Sequence, residues 1–221
     1  MRILEILGRL LFPPKCVLCR KVLEKDETDL CRACRTDDPR WSKGHRKLPF
    51  ITDFAAVWFY EGYVRRSILR YKFYGARGYA GVYGRMLAMV LQEQNLADVD
   101  LLTWVPTGTL RKLRRGYDQV ELLANAVGQE LGVTPVRLLK KIRNNRPQSG
   151  IVGDAQRRAN VLGVYRVVED AALEGKRILL LDDIITTGAT AGEAARMLLT
   201  AGAAEVNCGA VAVARRKGKE K

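Results

Sequence analysis

No stretch of this 221-residue sequence is apolar for the roughly 18 residues that a membrane-crossing helix needs. The first residues are not expected to act as a secretory leader either. In Met1 to Leu11, Glu5 and Arg9 interrupt the apolar run, and no small-residue cleavage site follows. Together these absences lead to the expectation of a cytoplasmic protein. There is no internal repeat and no low-complexity block. The glycine-rich loop ending in Gly-Lys-Ser/Thr is also missing, so a P-loop NTPase is not favoured. Acidic residues are in deficit, with 24 Asp and Glu against 38 Lys and Arg and a formal net charge of +14. Such a field attracts polyanions: nucleic acid, nucleotides, pyrophosphate groups or an acidic membrane surface. A plain basic surface is the alternative.

Hydrophobic residues make up 48% of the chain, enough for a real core. Only five cysteines are present, and four of them form Cys16-x-x-Cys19 and Cys31-x-x-Cys34. Two knuckles at this spacing suit a closed tetrahedral Zn²⁺ site, structural and not catalytic. An iron–sulfur cluster or four free thiols are the alternatives. The surrounding region has little apolar periodicity, so metal is expected to supply much of its folding energy. The single histidine, His45, lies too far along to belong to the pairs, and Cys208 sits in an apolar run as a small hydrophobe.

Four regions follow: an amphipathic helix over residues 1–14, a zinc ribbon over 15–48, an α/β domain over 49–215 and a basic tail over 216–221. Ile3, Leu4, Leu7, Leu10 and Leu11 keep helical spacing until Pro13, and that helix is expected to dock on its own domain. Beyond residue 49, strand and helix patterns alternate as in a parallel sheet flanked by helices. Strands are expected over 54–60, 101–105, 136–142, 164–168, 177–182 and 205–214, and helices over 64–71, 80–94, 119–131 and 191–200. Residues 143–160 read as a basic loop with a helical turn at its end.

The run Ile178-Leu179-Leu180-Leu181 carries the chain to the carboxyl edge of the sheet, where open α/β folds bind ligands. Asp182 and Asp183 follow, then Thr186-Thr187-Gly188-Ala189-Thr190. The threonines offer hydroxyl donors, and Gly188 lets backbone N–H groups turn inward. A helix starting near Thr190 adds the positive end of its dipole, so the loop suits a phosphate monoester. About one sugar width away, the two carboxylates can accept hydrogen bonds from a cis-diol and help place a hydrated Mg²⁺. A strand followed by a capped helix is the plainer reading.

These residues resemble the 5-phosphoribosyl-1-pyrophosphate (PRPP) fingerprint of type I phosphoribosyltransferases, complete from Ile178 to Thr190. The resemblance implies that Asp182 and Asp183 hold the ribose and that Thr186, Thr187, Gly188, Ala189 and Thr190 hold the 5-phosphate. The strand-end loop Val105-Pro106-Thr107-Gly108-Thr109 and the cations after it then suit the pyrophosphate arm, with Pro106, Thr107, Arg111, Arg114 and Arg115 as candidates. A solvated basic turn is the alternative there. The basic segment from Arg143 to Val161 stands where such enzymes carry a lid, or else forms a groove for a nucleic-acid backbone.

A four-cysteine ribbon before such a domain resembles the ComF family of bacterial competence-associated proteins. The matching pieces are Phe12-Pro13-Pro14-x-Cys16-x-x-Cys19, Lys72-Phe73-x-Gly75, Arg115-Gly116-Tyr117-Asp118-Gln119, Pro147-Gln148, Arg157-x-x-Asn160-Val161-x-Gly163 and the fingerprint. Asp118 stands where the family usually has Asn, so an amide is exchanged for an acceptor-only carboxylate. The resemblance implies a role in DNA uptake or DNA handling and leaves two readings. One is transfer of phosphoribosyl to an unidentified acceptor. The other is a non-catalytic factor that binds single-stranded DNA or a competence helicase, with Trp41, Tyr71, Phe73 and Tyr74 available to stack on bases. A salvage enzyme is a weaker third, since no base-specificity segment is recognisable.

Overall fold

Leu179 and Leu181 face one side of a parallel sheet, and Ile178 and Leu180 face the other; all four are fully buried. Burial on both faces is why this strand reads as an unbroken apolar run. The computed structural model describes residues 13–37, 40–41, 47–143, 154–169 and 171–215. The expected N-terminal helix, His45, the Pro147-Gln148 pair, most of the basic loop and the tail lie outside these residues.

In chain order the elements are α1 (Arg32–Thr36), β1 (Phe54–Phe59), α2 (Gly62–Phe73), α3 (Tyr79–Glu93), β2 (Leu101–Trp104), α4 (Thr109–Arg115), α5 (Gln119–Leu131), β3 (Leu139–Lys141), α6 (Asp154–Val161), β4 (Tyr165–Val167), β5 (Arg177–Ile185), α7 (Ala189–Thr200) and β6 (Glu205–Val213). The main sheet has the order β1-β6-β5-β2 and every pair in it is parallel. All four carboxyl ends therefore share one edge. One face packs on α2, α3 and α5, and the other on α7 and the β3–β4 pair. Gly84 lets α3 and α5 close together, since a Cβ there would stand 2.5 Å from Ala126 Cβ.

Several expected bounds shift for identifiable reasons. β5 runs on to Ile185, because Ile184 and Ile185 still pair with Ala212 and Val213 of β6. The strand expected over 136–142 is cut to β3. Its first half runs along the β2 edge instead, with Val136 N donating to Leu102 O and Leu138 N donating to Thr103 Oγ1. Pro135 at its head has no N–H to continue a ladder. The basic stretch after Gly108 is not a turn but the helix α4, closed by Gly116 in the left-handed region (φ 76°). Helix α5 keeps its expected bounds and ends at Gly132.

The ribbon is less self-contained than its composition implies. Val17, Leu18 and Leu30 are buried in the same apolar cluster as Val64, Ile68, Tyr83 and Leu87 of α2 and α3. Docking against α2 and α3 thus helps to hold the module in place.

Candidate functional site

Two sites are built from these elements. The first is the cysteine cluster. An antiparallel bridge between Lys15 and Val22 forms the first knuckle, where Cys16 N donates to Lys21 O and Arg20 N donates to Cys16 O. Helix α1 starts directly after Cys31 and carries Cys34 one turn on. The Sγ atoms of Cys16, Cys19, Cys31 and Cys34 all lie within 4.8 Å of one another, with Cys19 and Cys31 at 3.6 Å. A tetrahedron with Zn–S bonds of about 2.3 Å has edges of roughly 3.8 Å, so the four sulfurs fit Zn²⁺. Burial raises the Cys16 thiol, but N–H donors from Cys19, Cys31 and Leu18 outweigh it and bring it down to about 7. Burial and the neighbouring sulfurs push Cys34 the other way. A divalent cation between them satisfies both.

Helix α2 fastens this cluster to the domain. Arg70 Nη2 donates to the carbonyls of Val17 (3.0 Å) and Leu18 (2.6 Å), both inside the first knuckle. Ser67 Oγ donates to Val17 O, and the Arg85 guanidinium of α3 holds Asp29 through two hydrogen bonds.

The second site lies at the carboxyl edge of the sheet. Asp182 and Asp183 lie within β5, not beyond it, and both are buried. Asp182 Oδ1 accepts from Asp183 N at 2.8 Å. Burial, and then the adjacent Asp183 carboxylate, push the Asp182 carboxyl up to about 8. Asp183 is held from two helices. Lys72 Nζ of α2 stands 2.8 Å from Oδ1, and Gln119 Nε2 of α5 donates to Oδ2 at 3.0 Å. After β5 the chain turns through Thr186 and Thr187 into α7, which begins at Ala189. Thr187 Oγ1 accepts from Ala189 N, and Thr190 lies in the first turn. Gly188 is required twice over: its φ is 84°, and a Cβ would stand 2.6 Å from Leu48 Cδ2.

Two of the other candidates, Thr107 and Arg115, reach the same neighbourhood through Asp118 and Gln119. Thr107 follows Pro106 at the end of β2, but its N–H and hydroxyl both donate to Asp118, at 2.8 and 3.0 Å. The N–H is therefore committed within the protein. Asp118 also caps α5 by accepting from Val120 N and Glu121 N. That explains why a carboxylate suits this position: it serves the fold as an all-acceptor. Arg115 donates to Gln119 Oε1 at 2.6 Å and lies over the Phe73 ring at 4.8 Å. The side chains of Arg111 and Arg114 lie outside the described residues. Of the aromatics, Tyr71 is fully buried and donates to Gln119 O, and Trp41 packs on Phe54. Phe73 (59% exposed) and Tyr74 (78%) face solvent.

Reading the sequence for site chemistry missed Lys72 and Gln119 as partners of Asp183, and Glu193 as an anchor. Glu193 of α7 accepts from Gly163 N and pairs with Arg196, tying the segment after α6 to α7. A signal existed for the first two, because both lie in the short motifs named above.

Comparison with known proteins agrees with this geometry. Residues 7–44 match the double zinc ribbon domain, and residues 120–221 match the phosphoribosyl transferase domain. Competence protein F of Haemophilus influenzae is 25% identical over 186 residues, covering 80% of this chain and 75% of that protein. Competence protein ComFC of Bacillus subtilis is 26% identical over 204 residues, covering 86% and 79%. From its double zinc ribbon to its phosphoribosyl transferase domain, the chain is similar to the ComF-type competence proteins. Another relative, the DNA utilization protein YhgH of Escherichia coli, is 25% identical over 181 residues, covering 80% and 74%. Among solved structures, glutamine PRPP amidotransferase from B. subtilis aligns with a TM-score of 0.42 and 23% identity. That alignment covers 63% of this chain and only 30% of the amidotransferase. No helix among the described residues is long and apolar enough to cross a membrane.

Proposed function

We propose that this protein binds PRPP at the carboxyl edge of its sheet and serves DNA uptake or DNA handling. The observation that carries the reading is the order of parts along one strand and helix. Two buried carboxylates on β5 lead directly into a Gly188-centred turn at the start of α7. The turn and helix dipole suit the 5-phosphate, and the acids suit the ribose diol. Their hard carboxylate oxygens also suit a hydrated Mg²⁺ carried by the diphosphate, which neutralises charge on the leaving group.

In the catalytic form of this reading, the bond between C1 of the ribose and the pyrophosphate oxygen breaks, and pyrophosphate leaves with the electron pair. An acceptor nucleophile bonds to C1 and releases its proton to solvent or to pyrophosphate. Asp182 and Asp183 orient the ring, Thr186 to Thr190 fix the phosphate, and the segment that carries Pro106, Thr107, Arg111, Arg114 and Arg115 serves the pyrophosphate. Rate acceleration then rests on orientation and on electrostatic stabilisation of the leaving group. Calorimetric titration of the zinc-loaded protein with PRPP and Mg²⁺ tests the site. Saturable binding, lost in an Asp182→Asn/Asp183→Asn variant, is expected; an intact protein that takes up no PRPP refutes it.

A second reading has its own observation. Exposed Phe73 lies under Arg115, and exposed Tyr74 follows it, in a chain of net charge +14, a combination suited to single-stranded DNA. In that reading the phosphoribosyl site senses a ligand while the protein holds DNA or a helicase. It requires affinity that falls steeply with salt.

A further inference from the structure

A buried carboxylate is costly unless its charge is met and its lone pairs are used. Asp183 meets this demand with one donor on each oxygen, each from a different helix: Lys72 on Oδ1 and Gln119 on Oδ2. A carboxylate offers about four acceptor positions, so about two remain after these contacts. Two remaining acceptors, locked in orientation, are what a vicinal diol requires. We infer that Lys72 and Gln119 are positioning residues that make Asp183 a discriminator of ribose from deoxyribose phosphates. The inference rests on the reading of β5 as the sugar site and adds to it the basis of sugar specificity.

The arrangement is specific in three respects. Lys72 is the last basic residue of α2, with only 19% of its side chain exposed, so its ammonium is directed inward at the acid. Gln119 is itself fixed, since its Oε1 accepts from Arg115 at 2.6 Å and more weakly from Thr107 Oγ1 at 3.4 Å. Its amide is thereby oriented with the nitrogen toward Asp183. Removing the ammonium leaves the carboxylate held at one oxygen, free to turn about its Cβ–Cγ bond. A sugar lacking the 2-hydroxyl offers only one donor to the pair of acceptors and gains little from that orientation.

The test compares ribose 5-phosphate with 2-deoxyribose 5-phosphate by calorimetry on the zinc-loaded protein and on Lys72→Met, Lys72→Arg and Gln119→Leu. Inorganic phosphate, which needs only the Thr186–Thr190 turn, reports whether each variant keeps a folded site. The parent is expected to prefer the ribose ligand by about 10-fold or more, as for a lost hydrogen bond to a charged group. In Lys72→Met that preference should fall to about 3-fold or less while phosphate affinity holds, and Lys72→Arg should restore part of it. Full discrimination by Lys72→Met with phosphate binding intact overturns the inference. So does a parent that binds PRPP but does not distinguish the two sugars, and in that case the reading of the PRPP site survives. A parent that binds neither PRPP nor either sugar phosphate removes that reading and this inference together.

Discussion

Replacing Asp118 with Asn isolates one carboxylate's contribution to the site's framework. Asp118 Oδ1 accepts from Val120 N and Thr107 Oγ1, each at 3.0 Å, and more weakly from Glu121 N at 3.4 Å. Its Oδ2 accepts from Thr107 N at 2.8 Å. Asn and Asp are equally good helix caps, so the cap itself should survive the change. The amide nitrogen, however, must then face the N–H of Thr107, and two donors cannot bond. One largely enclosed donor is left unmet, at a cost of about 1–3 kcal/mol. Asp118→Ala removes the cap, at about 1 kcal/mol, and both Thr107 bonds, at about 1 kcal/mol each, for a total of roughly 3 kcal/mol. At about 2–4 °C per kcal/mol for a chain of this size, the Ala variant should melt about 6–12 °C below the parent and the Asn variant between the two. Scanning calorimetry of the zinc-loaded protein measures both. An Asn variant within about 1 °C of the parent would refute the claim that Thr107 depends on a second carboxylate oxygen.

Two further outcomes are expected. Asp182 holds its proton up to about 8 in the folded protein but releases it near the ordinary carboxylate value when unfolded. Its contribution to stability is therefore complete below about 4 and lost as pH rises through about 8, so Asp182→Asn should flatten that part of a pH–stability profile obtained by urea unfolding. Gly188→Ala meets a left-handed backbone and a contact of 2.6 Å with Leu48 Cδ2. It should cost about 1–3 kcal/mol and weaken phosphate binding, and a variant that melts and binds as the parent does would contradict the assignment of that turn.

Local features explain what was legible before the structure. The cysteine spacing, the Ile178–Thr190 run and the bounds of α5 each depend on neighbours in sequence: two knuckles, a strand feeding a helix, and a cap paired with a terminal glycine. The Lys72–Asp183 pair was not readable in this way, because its partners come from α2 and β5 and meet only once the sheet has closed between them. Helix α4 was missed because its sequence carries cations and no acid, and Leu113 in its middle is exposed, so no apolar stripe marks it. The docking of the ribbon was equally hidden. Leu18 and Leu30 look like isolated apolar residues in a polar segment until the faces of α2 and α3 receive them.

Helix α2 serves two masters within six residues. Ser67 and Arg70 hold the first cysteine knuckle, while Tyr71 and Lys72 hold Gln119 and Asp183. An engineer seeking to excise the ribbon and keep the α/β half would find no seam to cut along. The severed half would keep a helix whose outer residues had lost their partners, with Val64, Ile68, Tyr83 and Leu87 stripped of part of their cover. Exchange of ribbons between relatives faces the same obstacle, and a graft would have to carry the matching face of α2 with it.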